Sequence, residues 1–505
     1  MFFAAIKLAL HIAANAWEAH LGWGYFRDEL YYIVCGQHLA WGYVDQGPVV
    51  ALQARLGIAL FGKSLVGIRL FSALAGAAKV FLTGLLAWSL GGRRVAQALA
   101  MLGVLVAPQF LGLDSFLSMN SFEPVFWMAA LLAIVLILRD GSPHWWLLFG
   151  AAGGVGLENK PSMTFFLVAL LVGLLLTPQR RILFSRWCAA AIVLMVLLAL
   201  PNLLWQIGHH WATLEFLHNG RVEHKNIVLP PLQFIRQQID MLHPLSVFLW
   251  GAGLIWLLVS HRAVTFRFLG WTYLLFLGIM MAMGAKDYYV SPIYPVLFAA
   301  GGVAWQSLLR RPRTRWIVPA YALLLLVTGV LILPMALPVF TPQTWVAYAT
   351  RLHLRGKASR TENEAQGILP QFYADRFGWQ ELTDKVTRIY QGLSPADQAK
   401  AGILCSNYGE ASAINWLASP GAHLPFAISG HNNYYLWGPH NATGEVMIVI
   451  NGATLAEMRK FYNSVEIAGE MNNPYSMPYE RRPIYLCRGR KGNLAADWLQ
   501  FKHYI

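Results

Sequence analysis

Charge is scarce in this chain. Of 505 residues, 13% are Asp, Glu, Lys or Arg, against 56% hydrophobic, and the mean hydropathy is +0.45. Cysteine is scarcer still: Cys35, Cys188, Cys405 and Cys487 are scattered with no CxxC pair, so zinc-type ligand spacing is missing. Cys188 lies in an apolar run and reads as inert; Cys405 and Cys487 each follow a strand-like run, where an exported location would permit a disulfide. No basic stripe interleaved with aromatics occurs in a polar segment, so the net charge of +14 does not point to nucleic acid. Lys and Arg in loops beside anionic lipid account for it better. The first apolar run has no basic segment before it and is interrupted by Lys7 and His11. Despite Ala14-Asn15-Ala16, residues 2–19 therefore read as a short membrane helix, not a cleaved signal. Internal repeats and low-complexity linkers are also missing.

What the chain has instead is long apolar runs. Roughly 20 apolar residues cross a bilayer as a helix, and such windows recur through the first two thirds. The expected fold is an all-α polytopic membrane domain over 1–339, followed by an outer-side α/β domain over 340–505. About eleven transmembrane helices are predicted, at 2–19, 65–90, 94–112, 121–138, 144–158, 161–177, 184–207, 244–260, 267–284, 290–308 and 316–335. Arg93-Arg94, Arg139, Arg180-Arg181 with Arg186, Arg262 with Arg267, and Arg310-Arg311 with Arg313 and Arg315 fall on alternate turns. The positive-inside rule makes that side cytoplasmic, with the N-terminus inside and the first loop and tail outside.

Two outer loops are long, 20–62 and 208–243. The first contains helix-like pieces near 28–40 and 49–61; the second contains PLQFIRQQIDML, too polar to cross and expected along the membrane surface. In the tail, helices are predicted near 375–392, at GEASAINWLA and near 454–464, and strands at AGILCS, EVMIVI and PIYLCR. That alternation points to a small α/β domain.

Ionisable groups crowd the outer turns, and polar residues at a membrane end are by default a site hypothesis. Arg27-Asp28-Glu29 follows the first apolar run, with Tyr31-Tyr32 and Asp45 behind it. Asp28 is a candidate base or the N-cap of the helix after it. Asn120 and Glu123 enter an apolar helix, where Glu123 either answers the helix dipole, contacts a sugar hydroxyl or is a weak metal ligand. Lys160 and Lys286 stand at helix ends and suit a phosphate as point charges, or else reach for headgroups. Arg27 and Arg221 are further cationic candidates. Tyr31, Tyr32, Tyr288 and Tyr289 either stack on a sugar or belong to an interfacial belt. His431-Asn432-Asn433-Tyr434-Tyr435 with Trp437 either touches an acceptor or forms a packed turn.

These pieces resemble the glycosyltransferase C superfamily of polyprenyl-phosphate-sugar enzymes, within it the bacterial relatives of protein O-mannosyltransferases and lipid A aminoarabinose transferase. FRDELYY at 26–32, WGYVDQGP at 41–48, SMNSFEP at 118–124, LENKP at 157–161 and KDYYVSPIYP at 286–295 carry the likeness. SNYGEASAINW at 406–416 and ISGHNNYYLWGP at 428–439 are similar to the outer domain of bacterial relatives. The resemblance implies a bacterial inner-membrane glycosyltransferase with a periplasmic active site and C-terminal domain. It would move a sugar from a polyprenyl-phosphate donor to a lipid, glycan or protein acceptor by one inverting displacement. Asp28 would be the general base beside Glu29. Lys160, Lys286, Arg27 and Arg221 would hold the donor phosphate, and Tyr31, Tyr32, Asp45, Asn120, Glu123, Tyr288 and Tyr289 the substrates. No cofactor is required, and no residue is assigned to a metal; dependence on a divalent metal stays open. The rival reading is a transporter or flippase for a sugar-bearing lipid.

Overall fold

Helices that are apolar all round have no solvent face and must be buried or lie in lipid. In the computed structural model, which describes residues 1–310, 312–353 and 362–505, six helices are long and apolar enough to cross a membrane. They are Leu65–Ser89, Met119–Asp140, Arg186–Gly208, His261–Ala282, Asp287–Leu309 and Ile317–Met335. Two bent pairs, Ser162–Leu175 with Pro178–Phe184 and Pro231–Met241 with Pro244–Val259, raise the number to eight if each is one span. The continuous span expected at 94–112 is instead two helices, Arg94–Val106 and Pro108–Leu113. Pro108 supplies no N–H and keeps Ala107 extended, which ends the first helix. Arg311, part of the last basic turn, lies outside the described residues.

The chain forms two compact units. One comprises Met1–Trp17, Gln46–Ile207 and Asn226–Val339; the other comprises Glu18–Asp45, Gly208–Lys225 and Phe340–Ile505. The second unit thus takes in parts of both long outer loops along with the tail.

The first unit is helical. Glycines let its helices close: a Cβ on Gly253 would sit 2.1 Å from the Leu297 carbonyl oxygen, and one on Gly301 2.1 Å from that of Leu249. Its interior also holds a charged triad, the Asp114 carboxylate between Lys7 Nζ at 3.1 Å and Lys79 Nζ at 2.8 Å, all three side chains fully buried. Lys7 donates further to the Phe110 carbonyl at 3.0 Å. Lysines so placed stay charged only with a carboxylate in contact.

The second unit contains a five-stranded sheet ordered β2-β1-β3-β5-β4. β1 (Ala401–Cys405), β2 (Ala427–Ser429) and β3 (Val446–Ile450) are parallel; β5 (Pro483–Arg490) runs antiparallel to both of its neighbours, β3 and β4 (Tyr462–Glu470). β1 and β3 are buried along their whole length, as parallel strands covered on both faces are. The helix expected at 454–464 ends at Phe461, and the chain turns directly into β4, an edge strand the pattern had not revealed. All four cysteines are free thiols, and β3 lies between the strands that carry Cys405 and Cys487. The helix Arg27–Gln37 belongs to this unit and packs on the helix Tyr408–Leu417.

Candidate functional site

The candidate residues gather into two clusters, one in each unit. In the second unit the organiser is the start of the helix Arg27–Gln37. Glu29, fully buried, reaches back so that its Oε2 accepts from the Phe26 backbone N–H at 2.8 Å. That contact satisfies a first-turn donor, the task a capping residue performs. Asp28 is therefore not the N-cap, and its carboxylate points elsewhere.

Asp28 Oδ1 accepts a hydrogen bond from the Tyr408 hydroxyl at 2.8 Å and lies 3.5 Å from Arg27 Nε. Its side chain keeps 30% exposure. This carboxylate is held in place and still open to a partner. Arg27 Nη1 donates to the Tyr479 hydroxyl, and that hydroxyl donates to Asp375 Oδ1 at 3.3 Å. The Arg27 backbone N–H donates to the Asp375 carbonyl at 2.9 Å. Burial pushes the Asp375 carboxyl up to about 7; the Arg27 charge opposes the shift and Asp28 adds to it.

Tyr31 donates to Asp45 Oδ1 at 2.9 Å, and its ring stacks on Tyr408 with centroids 4.5 Å apart. Tyr32 is likewise buried. Burial pushes the Asp45 carboxyl up to about 6, with the Tyr31 hydrogen bond pulling the other way. The His431 ring packs against Tyr408 at a tilt, centroids 4.7 Å apart, and burial holds its imidazole well below the ordinary value. Asn433 Oδ1 accepts from the Val44 N–H at 2.7 Å, so the 431–437 segment knits the Asp28 loop to the sheet. Arg221 is exposed near the end of the helix Ala212–Val222.

The first unit brings together six residues from three distant stretches. Lys160, in the break between the helices Trp145–Asn159 and Ser162–Leu175, donates to Asn120 Oδ1 at 2.8 Å and Glu123 Oε2 at 3.0 Å. The Ser162 hydroxyl donates to the other Glu123 oxygen. Lys160 Nζ lies 4.2 Å from the Tyr289 ring centroid and 5.7 Å from that of Tyr288. Two of its three N–H donors are thus directed at protein oxygens, with aromatic faces beside the charge. Lys286 is half-buried, two residues before Tyr288.

Among the described residues, no three His, Cys, Asp or Glu side chains converge as a metal site would require. The residues that sequence reading missed are Tyr408, Asp375, Tyr479 and Ser162. Tyr408 stands inside SNYGEAS, yet nothing in local periodicity ties it to a carboxylate 380 positions earlier.

A family model described as dolichyl-phosphate-mannose-protein mannosyltransferase matches residues 45–205. A curated relative, undecaprenyl phosphate-alpha-4-amino-4-deoxy-L-arabinose arabinosyl transferase 1 of Pseudomonas fluorescens, is 27% identical over 165 residues. That match spans 32% of this chain and 29% of the relative's length. The fold aligns with ArnT from Cupriavidus metallidurans bound to undecaprenyl phosphate at a TM-score of 0.61 and 15% identity, covering 96% of this chain and 97% of that one. The apo form of the same protein gives 0.60 at 14% identity. In sequence and in fold, the chain resembles the glycosyltransferase C superfamily. The likeness to ArnT embraces both the apolar helices and the small C-terminal sheet domain.

Proposed function

We propose that this chain is a membrane glycosyltransferase that moves a sugar from a polyprenyl-phosphate donor to an acceptor on the periplasmic side. The observation that carries the reading is Asp28, a carboxylate fixed by Tyr408 yet 30% exposed, in a chain whose fold matches one solved with undecaprenyl phosphate. An acceptor hydroxyl attacking the anomeric carbon must lose its proton, and a positioned carboxylate takes it. The carbon–oxygen bond to phosphate breaks as the new bond forms, so one displacement inverts the anomeric centre. The departing phosphate gains negative charge, which cationic donors stabilise. Lys160 and Lys286 are the groups we assign to it; Asn120, Glu123, Tyr288 and Tyr289 line the same unit for the donor head. Arg27, engaged by Tyr479 and beside Asp28, orients the carboxylate.

The test is a transfer assay on purified protein in lipid, with labelled polyprenyl-phosphate sugars and a panel of acceptors. Transfer or donor hydrolysis by wild type, lost in Asp28→Asn, supports both the class and the base. Activity surviving in Asp28→Asn removes the base assignment. Tight donor binding without chemistry across the panel replaces the enzyme with a flippase.

A further inference from the structure

At the far end of the first unit from Lys160 lies a cavity of about 510 Å³, within the roughly 300–1,000 Å³ range of ligand pockets. Phe3, Leu99, Leu102, Val318 and Ala322 are among its walls, and Arg315 is the charged residue lining it. The cavity is open to the surface, where Val95, Arg315 and Pro319 on its lining are exposed, and an apolar lining offers water no partners.

Three arginine-bearing segments meet at this end. The Arg93 backbone N–H donates to Gln306 Oε1 at 2.6 Å, which brings the turn before the helix Arg94–Val106 against the end of the helix Tyr294–Gln306. The Arg139 guanidinium lies 3.7 Å from the Trp88 ring centroid, which places the end of the helix Met119–Asp140 beside that of Leu65–Ser89. Arg313 and Arg315 complete the set, and neither 90–98 nor 305–320 contains an acidic residue. Asn120 begins the helix that Arg139 nearly ends; at about 1.5 Å per residue the two stand roughly 30 Å apart. The cavity is therefore not part of the Lys160 cluster.

We propose that this cavity binds an anionic phospholipid, with an acyl chain between the apolar walls and the headgroup phosphate on Arg315. At this end Asp140 pairs with Arg139 at 3.2 Å, but 90–98 and 305–320, which supply most of the lining, carry no carboxylate to pair with Arg315. An apolar slot with such a cation at its rim is complementary to an anionic lipid, and basic pockets between membrane helices recognise anionic headgroups in this way. A guanidinium pairs with phosphate through two N–H donors, which a zwitterionic headgroup's own ammonium would oppose. Lipid binding here is independent of the chemistry at Asp28.

Native mass spectrometry of the detergent-purified full chain tests it, with phosphatidylglycerol, phosphatidylcholine and undecaprenyl phosphate as probes. One phosphatidylglycerol per chain is expected, bound at least tenfold more tightly than phosphatidylcholine. Arg315→Ala and the cavity-filling Leu99→Trp each weaken phosphatidylglycerol at least tenfold. If Leu99→Trp does not fold, Ala322→Phe fills the cavity from the facing helix. Equal binding of the two phospholipids, or wild-type binding by the Arg315 or the folded cavity variant, overturns the proposal. Displacement of phosphatidylglycerol by an equal amount of undecaprenyl phosphate assigns the cavity to the donor and overturns it as well.

Discussion

The Tyr408 hydroxyl donates to Asp28 Oδ1 across 2.8 Å, so the tail supplies the hydrogen bond that orients a carboxylate 380 residues earlier in the chain. A hydrogen bond to a charged group is worth about 1.5–3 kcal/mol. Tyr408→Phe keeps the ring that stacks on Tyr31 and removes only the donor. We expect kcat to fall roughly 10- to 100-fold with little change in donor KM. In an Asp28→Asn background the same substitution should cost no further activity. Additive losses in that double mutant would show that Tyr408 acts only on folding.

Lys160 and Glu123 are both nearly buried, at 7% and 3% side-chain exposure. Removing one partner of such a pair leaves the other charge uncompensated, at a cost of about 3–5 kcal/mol. Lys160→Met should therefore lower the thermal midpoint in detergent sharply, and adding Glu123→Gln should recover part of the loss. Recovery of stability without recovery of transfer would separate the phosphate contact proposed for the lysine from its place in the fold.

The legible part of this molecule was the part written in composition and spacing. Apolar runs announced the helices, and the strand-like runs AGILCS, EVMIVI and PIYLCR, alternating along the tail with helix-like ones, announced β1, β3 and β5. β2 escaped because three residues carry no periodicity, and β4 because its exposure does not alternate cleanly. The meeting of Asn120, Glu123 and Lys160 with Tyr288 and Tyr289 joins candidates each chosen singly, since no local signal brings them together. Tyr408 and Asp375 could not be found that way, because what marks them is a partner on a distant stretch. Glu29 shows the reverse case: it stood out beside Asp28, and the structure places it as the contact that satisfies the Phe26 N–H.

The triad of Lys7, Lys79 and Asp114 rests on a glycine. A Cβ on Gly76 would come within 2.6 Å of Asp114 Oδ2 and 2.8 Å of Cγ, closer than such atoms approach. Gly76→Ala must therefore displace the carboxylate from lysines that are fully buried. A loss of about 3 kcal/mol or more is expected, similar to that of Asp114→Asn, by the cost of an unpaired buried charge. A thermal midpoint for Gly76→Ala within a degree of wild type would show that the triad contributes little.

Asp375 and Asp45 make the second unit sensitive to pH in a definite direction. Both carboxyls ordinarily titrate at 3.8; burial raises them to about 7 and about 6. The folded state thus holds these protons more tightly than the unfolded chain, so the contribution is complete below about pH 4. It declines as pH rises through the folded values and is gone above about pH 7, a tenfold gain in proton affinity corresponding to about 1.4 kcal/mol. The thermal midpoint of wild type should fall between pH 5 and pH 8. Asp375→Asn, which keeps the shape without the titration, should flatten that slope more than Asp45→Asn, because burial raises Asp375 further. Melts of the three proteins across this range decide the matter: an unchanged slope in Asp375→Asn would mean that Arg27 holds the Asp375 carboxyl ionised throughout.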